Sequence, residues 1–213
     1  MLGKFHTEIV QVALGAQFSA ADLKIIIAAN LGLDVLAGQI GHPEYHFDDS
    51  AFAAGEAFIR RQRQAVVEAV QRGERARALA AFGRLTHVRQ DFYAHSNWVS
   101  RWVENQGGVA HCRPHETPLC LDPVTAPGLI SGRSSLLLYA LHRLPLLGPL
   151  CKRLFMPPDS HEAMNLDHPG RGPLFPFALA AATAHTRLEL TQTVAALREA
   201  GGEAAVVFFT PGL

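Results

Sequence analysis

The sequence predicts one all-α domain, because apolar residues recur at helical spacing and the alternation typical of strands is almost absent. A chain of 213 residues fits a single domain, and 48% hydrophobic residues are enough to bury a substantial core. We find no internal repeat and no linker. The domain is therefore expected to span residues 1–213 as a single helical bundle.

The first helices are predicted from capping residues and from the spacing of apolar side chains. A helix carrying His6 is expected to open the chain. Ser19 is the expected N-cap of the next helix, in which Leu23 and its apolar neighbours recur at helical spacing. A third helix is expected over residues 50–71, ended by the Arg-Gly-Glu sequence at 72–74.

The second half of the chain is predicted to alternate long helices with long loops. Residues 74–103 are typical of one long helix, straight or kinked, and residues 105–130 hold enough Gly and Pro to predict a long loop. A last helix is expected over residues 176–200. Gly201 and Gly202 should end it.

Residues 131–155 form a Leu-rich segment interspersed with basic side chains. Two short helices that split at Pro145 would explain this pattern as a hairpin packed on the bundle. The alternative is a hydrophobic lid or a surface for peripheral membrane contact, which would favour a lipid or another apolar substrate.

Composition excludes some classes of partner and compartment. Lys+Arg and Asp+Glu balance at 19 each, so no general electrostatic attraction to nucleic acid is expected. Three cysteines do not make a complete disulfide framework, and we see no signal peptide and no apolar run long enough to span a bilayer. We expect a cytoplasmic protein, with an oligomeric state that the sequence does not specify.

Histidine is abundant, with 11 in the chain, and several lie at the spacing of metal ligands. His87, Asp91 and His95 stand at positions i, i+4 and i+8, so they project from nearly the same helix face. His185 and Glu189 repeat the i, i+4 spacing on another predicted helix. Two helices that each present His with a carboxylate one turn away predict a multi-metal site between helices.

Further candidate ligands lie upstream, where each taken alone is a weaker signal. His6 lies on the first predicted helix and Asp34 follows the second. The sequence G-H-P-E-Y-H-F-D-D then places His46, Asp48 and Asp49 in a turn, where such residues often serve only as caps.

Three strings carry a family resemblance: H-F-D-D-S-A-F, L-T-H-V-R-Q-D-F-Y-A-H-S-N-W-V, and N-L-D-H-P-G-R-G followed by A-A-A-T-A-H-T. They resemble the Het-C-type proteins, which belong with the zinc-dependent phospholipase C / P1 nuclease superfamily. The resemblance runs from about His6 to Leu190, and residues 105–158 match poorly. It implies a helical domain with a cleft that holds three zinc ions.

The resemblance also implies a role for each candidate ligand. Asp91 would bridge two metals, and His95, His185 and Glu189 would hold the remaining zinc. Two or three zinc ions are expected, with iron or magnesium as alternatives. The full implied set of ligands is His6, Asp34, His46, His87, Asp91, His95, His185 and Glu189.

Two departures from the family pattern affect this expectation. Secreted members bind one zinc through an N-terminal Trp, whereas this sequence begins with Met1, five residues before His6. About 90 residues separate His95 from His185, more than in the compact bacterial members.

Substrate-binding candidates come from polar and aromatic side chains near the predicted ligands. His161 and Asp167 precede the final helix, Arg171 could pair with phosphate oxygens, and Trp98 would form core or cleft wall.

The favoured function is hydrolysis of a phosphate ester, most simply as a zinc-dependent phospholipase C-like phosphodiesterase acting on a small-molecule or lipid substrate. Metal-bound hydroxide would attack phosphorus, with Asp34, Asp48 or Asp49 as general base. One alternative is a multi-metal lyase or cyclase acting on a pyrophosphate, or an iron oxygenase, with a greasy, prenyl-type substrate. Another is a non-enzymatic Het-C-like interaction protein.

Overall fold

The computed structural model describes residues 1–35, 38, 41–134 and 156–212, and in these residues the protein is helical. The helices are α1 (Gly3–Leu14), α2 (Ala20–Leu31), α3 (Pro43–His46), α4 (Phe52–Gln71), α5 (Arg75–His95), α6 (Trp98–Asn105), α7 (His161–Met164) and α8 (Phe175–Phe209). Short 3-10 turns cover Asp48–Ser50, Val109–His111, Pro114–Glu116 and Pro169–Arg171. The described residues contain two isolated β-bridges and no strand, so the predicted all-α class is confirmed.

Helix α5 lies at the centre, with α2, α4 and α8 packed against it. Its apolar side chains belong to one core, in which Phe82, Leu85, Val88 and Phe92 are fully buried. Gly83 allows α2 to approach closely, since a Cβ there would lie 2.3 Å from the carbonyl oxygen of Ile26. This contact brings the C-terminal end of α2 beside the polar half of α5.

The predicted cap of α2 is confirmed. The Ser19 hydroxyl accepts a hydrogen bond from the Asp22 N–H, and the Asp22 carboxylate accepts one from the Ser19 N–H, both at 3.2 Å. Asp22 also pairs with Arg75 at the start of α5, so the cap joins the two helices.

The predicted helix over residues 74–103 is two helices, because a distant segment takes over the hydrogen bonds at residues 95–97. Ser96 is extended, with φ −98° and ψ 163°. The Gly132 N–H donates to the His95 carbonyl at 3.0 Å, and the Asn97 N–H donates to the Ile130 carbonyl at 3.0 Å. Helix α5 therefore ends immediately after its last candidate ligand.

The last helix extends beyond its predicted end. Gly201 and Gly202 do interrupt the helical backbone, with φ −153° and φ 66°, but the helix resumes and continues to Phe209. Burial of Phe209 explains this continuation, since its ring is fully buried and packs edge-on against Phe82 and Phe18.

Most of the Leu-rich segment, residues 135–155, lies outside the described residues. The hairpin and the lipid-contacting lid that we predicted there, and the substrate preference inferred from them, stay predictions. Among the residues that the structure does describe, no helix is both long and apolar enough to cross a membrane.

Candidate metal centre

Four structural elements bring candidate ligands together beside the C-terminal half of α5. His87, Asp91 and His95 lie on α5 itself, His6 on α1, His46 at the end of α3, and Asp34 just after α2. All are buried except Asp34, whose side chain is 28% exposed. Residues far apart in sequence thus meet in one interior polar site.

The first ligand group consists of His6, Asp34, His46, His87 and Asp91. Potential ligand atoms of His6, Asp34, His87 and Asp91 all lie within 4.8 Å of one another. His46 joins them, because its Nδ1 is 2.8 Å from Asp91 Oδ2 and 3.2 Å from His87 Nε2. These five residues, which all belong to the ligand set implied by the family resemblance, are adjacent in the structure.

Asp91 is the centre of this group and presents its two oxygens to different histidines. Oδ1 lies 3.2 Å from His6 Nε2, and Oδ2 lies 3.2 Å from His87 Nε2. The buried Nε2 atoms of His6 and His46 have no hydrogen-bond partner within the described part of the chain. Buried polar nitrogens are normally satisfied, so these two atoms require an explanation.

The second ligand group consists of Asp48, His95, His161 and Asp167. Asp48 Oδ1 lies 2.9 Å from His161 Nδ1 and 3.4 Å from His95 Nδ1, while His95 Nε2 lies 3.1 Å from Asp167 Oδ1. Asp48, His95 and His161 could together hold an ion. The two groups adjoin, since His95 Nε2 is 4.0 Å from Asp91 Oδ1.

The amino group of Met1 lies between the two groups and is fully buried. It is 2.6 Å from Asp91 Oδ1, 3.0 Å from Asp167 Oδ1 and 3.3 Å from His95 Nε2. Burial would lower its pKa, but the two carboxylates outweigh burial and raise the pKa to about 11. A positive charge therefore occupies the point where the carboxylates of both groups converge.

The carboxylates and imidazoles perturb one another strongly. Burial would raise the pKa of Asp91, yet the Met1 ammonium, His95 and His87 hold it well below its usual range. Burial and the nearby charge of Asp91 raise the pKa of Asp34. Burial lowers the pKa of His87 to about 3 despite the neighbouring Asp91, so its imidazole is neutral.

His185 and Glu189 do not join either ligand group. Glu189 is fully buried, accepts from Arg89 Nε at 2.8 Å and pairs with Arg63. Arg89 also pairs with Glu56 at 2.6 Å, and these four residues form what we call the arginine network (Glu56, Arg63, Arg89, Glu189).

His185 lies beside this network. Its Nδ1 is 2.7 Å from the Tyr93 hydroxyl. Burial, reinforced by Arg89 and Arg63, lowers the pKa of His185 to about 2. The geometry therefore does not support the expectation that His185 and Glu189 share a zinc with His95. Their i, i+4 spacing is used for packing α8 against α5 and α4.

The predicted catalytic and substrate-binding residues divide between the site and its scaffold. Asp34 lies in the first ligand group and Asp48 in the second. Asp49 instead holds a turn: it has φ 54°, and its carboxylate accepts from the Ser134 N–H at 2.7 Å. Asp49 therefore holds the backbone of a neighbouring segment and is not among the candidate ligands.

His161 and Asp167 are placed as ligand candidates rather than as substrate contacts. Arg171 donates to the backbone carbonyls of Asn165, at 2.9 Å, and of Glu162, so its guanidinium fastens a loop. Trp98 Nε1 donates to the Pro118 carbonyl at 2.8 Å and anchors another loop. Both side chains are engaged with backbone carbonyls, and Trp98 also packs against the core, which is one of the two places predicted for it. The contact of Arg171 with phosphate stays a prediction.

A set of buried polar residues behind the histidines was missed by reasoning from sequence. Gln90 Oε1 lies 2.6 Å from His6 Nδ1, and Asn30 Oδ1 lies 3.4 Å from His87 Nδ1. Thr86 and Thr186 contact the two amides from the other side. The one available signal was Gln90, an amide directly before Asp91 on the helix that carries the predicted ligands.

Comparison with known proteins gives a family likeness over the first half of the chain. Residues 5–107 match the VWA7 N-terminal domain. The match covers just under half of the 213 residues, and it includes His6, Asp34, His46, His87, Asp91 and His95. His161 and Asp167 lie outside it.

One relative is von Willebrand factor A domain-containing protein 7 from Rattus norvegicus. It is 30% identical over 96 residues, which is 43% of this chain and 11% of the rat protein. The chain thus spans only a small part of the relative it matches. No solved structure matches the chain.

These matches correct the resemblance inferred from the sequence strings. The expected membership of the Het-C type and of the phospholipase C / P1 nuclease superfamily is wrong, because the chain matches the VWA7 N-terminal domain and the rat protein instead. Short strings around the candidate His and Asp ligands suggested a family that the longer match does not support. The phospholipase and nuclease identity that rested on that family is withdrawn with it, so any hydrolytic activity has to be argued from the site alone.

Proposed function

We propose that this chain is a metal-binding helical domain that holds divalent transition ions in the two ligand groups. The observation that carries the proposal is His6 Nε2, a fully buried nitrogen without a hydrogen bond, 3.2 Å from the oxygen of a fully buried carboxylate. An ion between them would give His6 Nε2 a partner. Burying this many titratable groups without an ion would be costly.

The donor set favours zinc or a similar ion over magnesium. Imidazole nitrogens together with carboxylate oxygens suit zinc and its transition-metal neighbours, whereas magnesium prefers an all-oxygen shell with several waters. In the first group, Asp91 directs one oxygen to His6 and the other to His46 and His87, which suits a carboxylate shared by two ions. Asp48, His95 and His161 would hold a further ion.

Metal analysis of the purified chain tests this proposal. After dialysis against zinc and removal of the excess, we expect two or three zinc equivalents per chain, and cobalt substitution should give visible absorption bands. Asp91→Asn should lose at least two equivalents. Asp122→Asn is the matched control, because Asp122 lies in an exposed turn and its carboxylate accepts a hydrogen bond from the Thr125 hydroxyl. A wild-type chain that retains no zinc would contradict the proposal.

A second proposal concerns chemistry: the ions activate water for attack on a phosphoric ester. Charge balance supports this class of substrate. Asp34, Asp48, Asp91 and Asp167 supply four negative charges and the Met1 ammonium supplies one positive charge, so three divalent ions would leave a net positive centre that attracts an anion. Such a centre can both supply hydroxide and stabilise the charge that develops on phosphoryl oxygens.

Chromogenic phosphate monoesters and diesters test the second proposal separately. The zinc-loaded chain should release the leaving group, Asp91→Asn should not, and Asp122→Asn should match the wild type. Zinc binding without turnover of either ester would reject the hydrolytic proposal and leave the metal-binding one intact. Iron bound in preference to zinc would favour the oxygenase alternative, which stays a prediction.

A further inference from the structure

Two buried amides stand directly behind the histidines of the first ligand group. Gln90 Oε1 is 2.6 Å from His6 Nδ1 and 3.1 Å from Asn30 Nδ2. Asn30 Oδ1 is 3.4 Å from His87 Nδ1. All four residues are fully buried, so these contacts are not exchanged for water.

Two threonine hydroxyls determine which way each amide faces. Thr86 donates its hydroxyl proton to the Gly83 carbonyl at 2.8 Å, and Thr186 donates to the Ala182 carbonyl at 2.8 Å. Each hydroxyl has one proton, so toward the amides it only accepts. The Nδ2 of Asn30 therefore points to Thr86, at 3.2 Å, and the Nε2 of Gln90 points to Thr186, at 3.2 Å.

This orientation fixes the proton on each imidazole. With the amide nitrogens engaged by the threonines, the carbonyl oxygens face Nδ1 of His6 and Nδ1 of His87. A carbonyl oxygen only accepts, so both Nδ1 atoms must carry a proton. The Nε2 atoms are then the ligating nitrogens, and both lie 3.2 Å from Asp91 oxygens.

We infer that Asn30 and Gln90 are positioning residues that hold His6 and His87 as Nδ1–H imidazoles with Nε2 directed at the metal. The effect on metal affinity rests on the proposed metal-binding function, whereas the position of the proton does not. Groups of this kind behind metal-bound histidines typically change metal affinity about 10-fold to 100-fold when removed.

Histidine nitrogen NMR on the metal-free chain tests the position of the proton. In the wild type, His6 and His87 should both show a protonated Nδ1. In Gln90→Leu the acceptor at His6 is gone, and the proton should move to Nε2, where the Asp91 carboxylate accepts it. His87, held by Asn30, should change less. A wild-type His6 protonated at Nε2 alone would overturn the inference, whether or not the chain binds metal.

Cobalt titration of the same variants tests the effect on affinity. Gln90→Leu should weaken cobalt binding about 10-fold to 100-fold. Gln90→Glu still offers an oxygen to Nδ1–H, so it should bind at least as tightly as the wild type. Gln62→Leu is the matched control, since Gln62 also accepts a side-chain hydrogen bond, from Arg84, but does so on α4 away from the histidines.

Three outcomes are distinguishable in this experiment. Weaker binding in Gln90→Leu with recovery in Gln90→Glu supports the inference. Equal weakening in Gln90→Leu, Gln90→Glu and Gln62→Leu would overturn it, because the effect would then be a general loss of packing. A wild-type chain that binds no cobalt would reject the metal-binding proposal and the affinity effect, and the NMR result would still decide the position of the proton. If Gln90→Leu does not fold, Thr186→Val removes the partner of the Gln90 amide nitrogen with a smaller change of shape.

Discussion

Glu189, one helical turn after His185, could be either a metal ligand or the partner of an arginine. The substitution Glu189→Gln distinguishes these two roles. Glu189 has a fully buried carboxylate that pairs with Arg89 Nε at 2.8 Å and with Arg63. Glutamine keeps the shape and one acceptor oxygen but removes the charge. We expect the variant to be less stable and to bind as much zinc as the wild type.

The expected loss follows from what remains around Arg89. Removing one partner of a buried ion pair typically costs about 3–5 kcal/mol. Arg89 keeps Glu56 at 2.6 Å, and the side chain of Arg63 is 20% exposed, so the lower end of that range applies. For a chain of 213 residues, about 3 kcal/mol corresponds to a fall in Tm of about 6–12 °C.

Circular dichroism of thermal unfolding and metal analysis of the same dialysed samples measure both quantities. Glu203→Gln is the control, because Glu203 pairs with Arg198 at the surface and should leave the Tm almost unchanged. If Glu189→Gln lost a zinc equivalent and kept its Tm, Glu189 would be a ligand. The arginine network would then not explain how α8 packs against α5 and α4.

Three further predictions concern the site and its supports. Zinc at 100 times its Kd should stabilise the wild type by about 2.7 kcal/mol and raise the Tm by about 5–11 °C, as measured by scanning calorimetry. Asp91→Asn should lose this rise. An equal rise in both proteins would count against the proposed metal centre. The pKa of Asp22 is lowered from 3.8 to about 2, chiefly by its arginine partner, so its charge stabilises the fold fully above about pH 5 and progressively less down to about pH 1. The deficit of Asp22→Asn in unfolding free energy should shrink over this range, and a deficit that is the same at pH 5 and at pH 2 would refute this. Gly83→Ala should lower the free energy of unfolding by about 1–3 kcal/mol and weaken zinc binding, since the added Cβ would displace α2 at Ile26. Unchanged zinc binding would show that α2 tolerates the shift.

The helices and their caps could be predicted because their signals are local. Ser19 and Asp22 lie three residues apart and form the cap by themselves. The break after His95 could not be predicted this way, because it depends on Gly132, which is distant in sequence and hydrogen-bonds to the His95 carbonyl. Gly201 and Gly202 carried a local signal that was correct, but burial of Phe209 continued the helix beyond them.

Ligand spacing likewise predicted part of the site. Of the residues in the first ligand group, spacing on one helix predicted His87 and Asp91. His6, Asp34 and His46 were weak candidates from sequence, and the structure brings them to the same place. The sequence did not reveal that Asp48, His95, His161 and Asp167 form a second group, because two turns and a loop bring them together.

Helix geometry explains why His87 with Asp91 and His185 with Glu189 look alike in sequence but lie in different places. At about 100° per residue, Asp91 lies about 40° around α5 from His87, whereas Arg89 lies about 200° around. Glu189 pairs with Arg89, so α8 meets the side of α5 that faces away from the ligands.

Gln90 lies between these two sides of α5, about 300° around from His87. It contacts His6 with its carbonyl oxygen and Thr186 of α8 with its amide nitrogen. Helix α8 therefore supports the first ligand group through Thr186 and Gln90 rather than by supplying ligands. A His-x3-Glu sequence on α8 would predict a metal ligand only if no buried arginine faced it from α5. Arg89, two residues before Asp91, is such an arginine, and it pairs with Glu189.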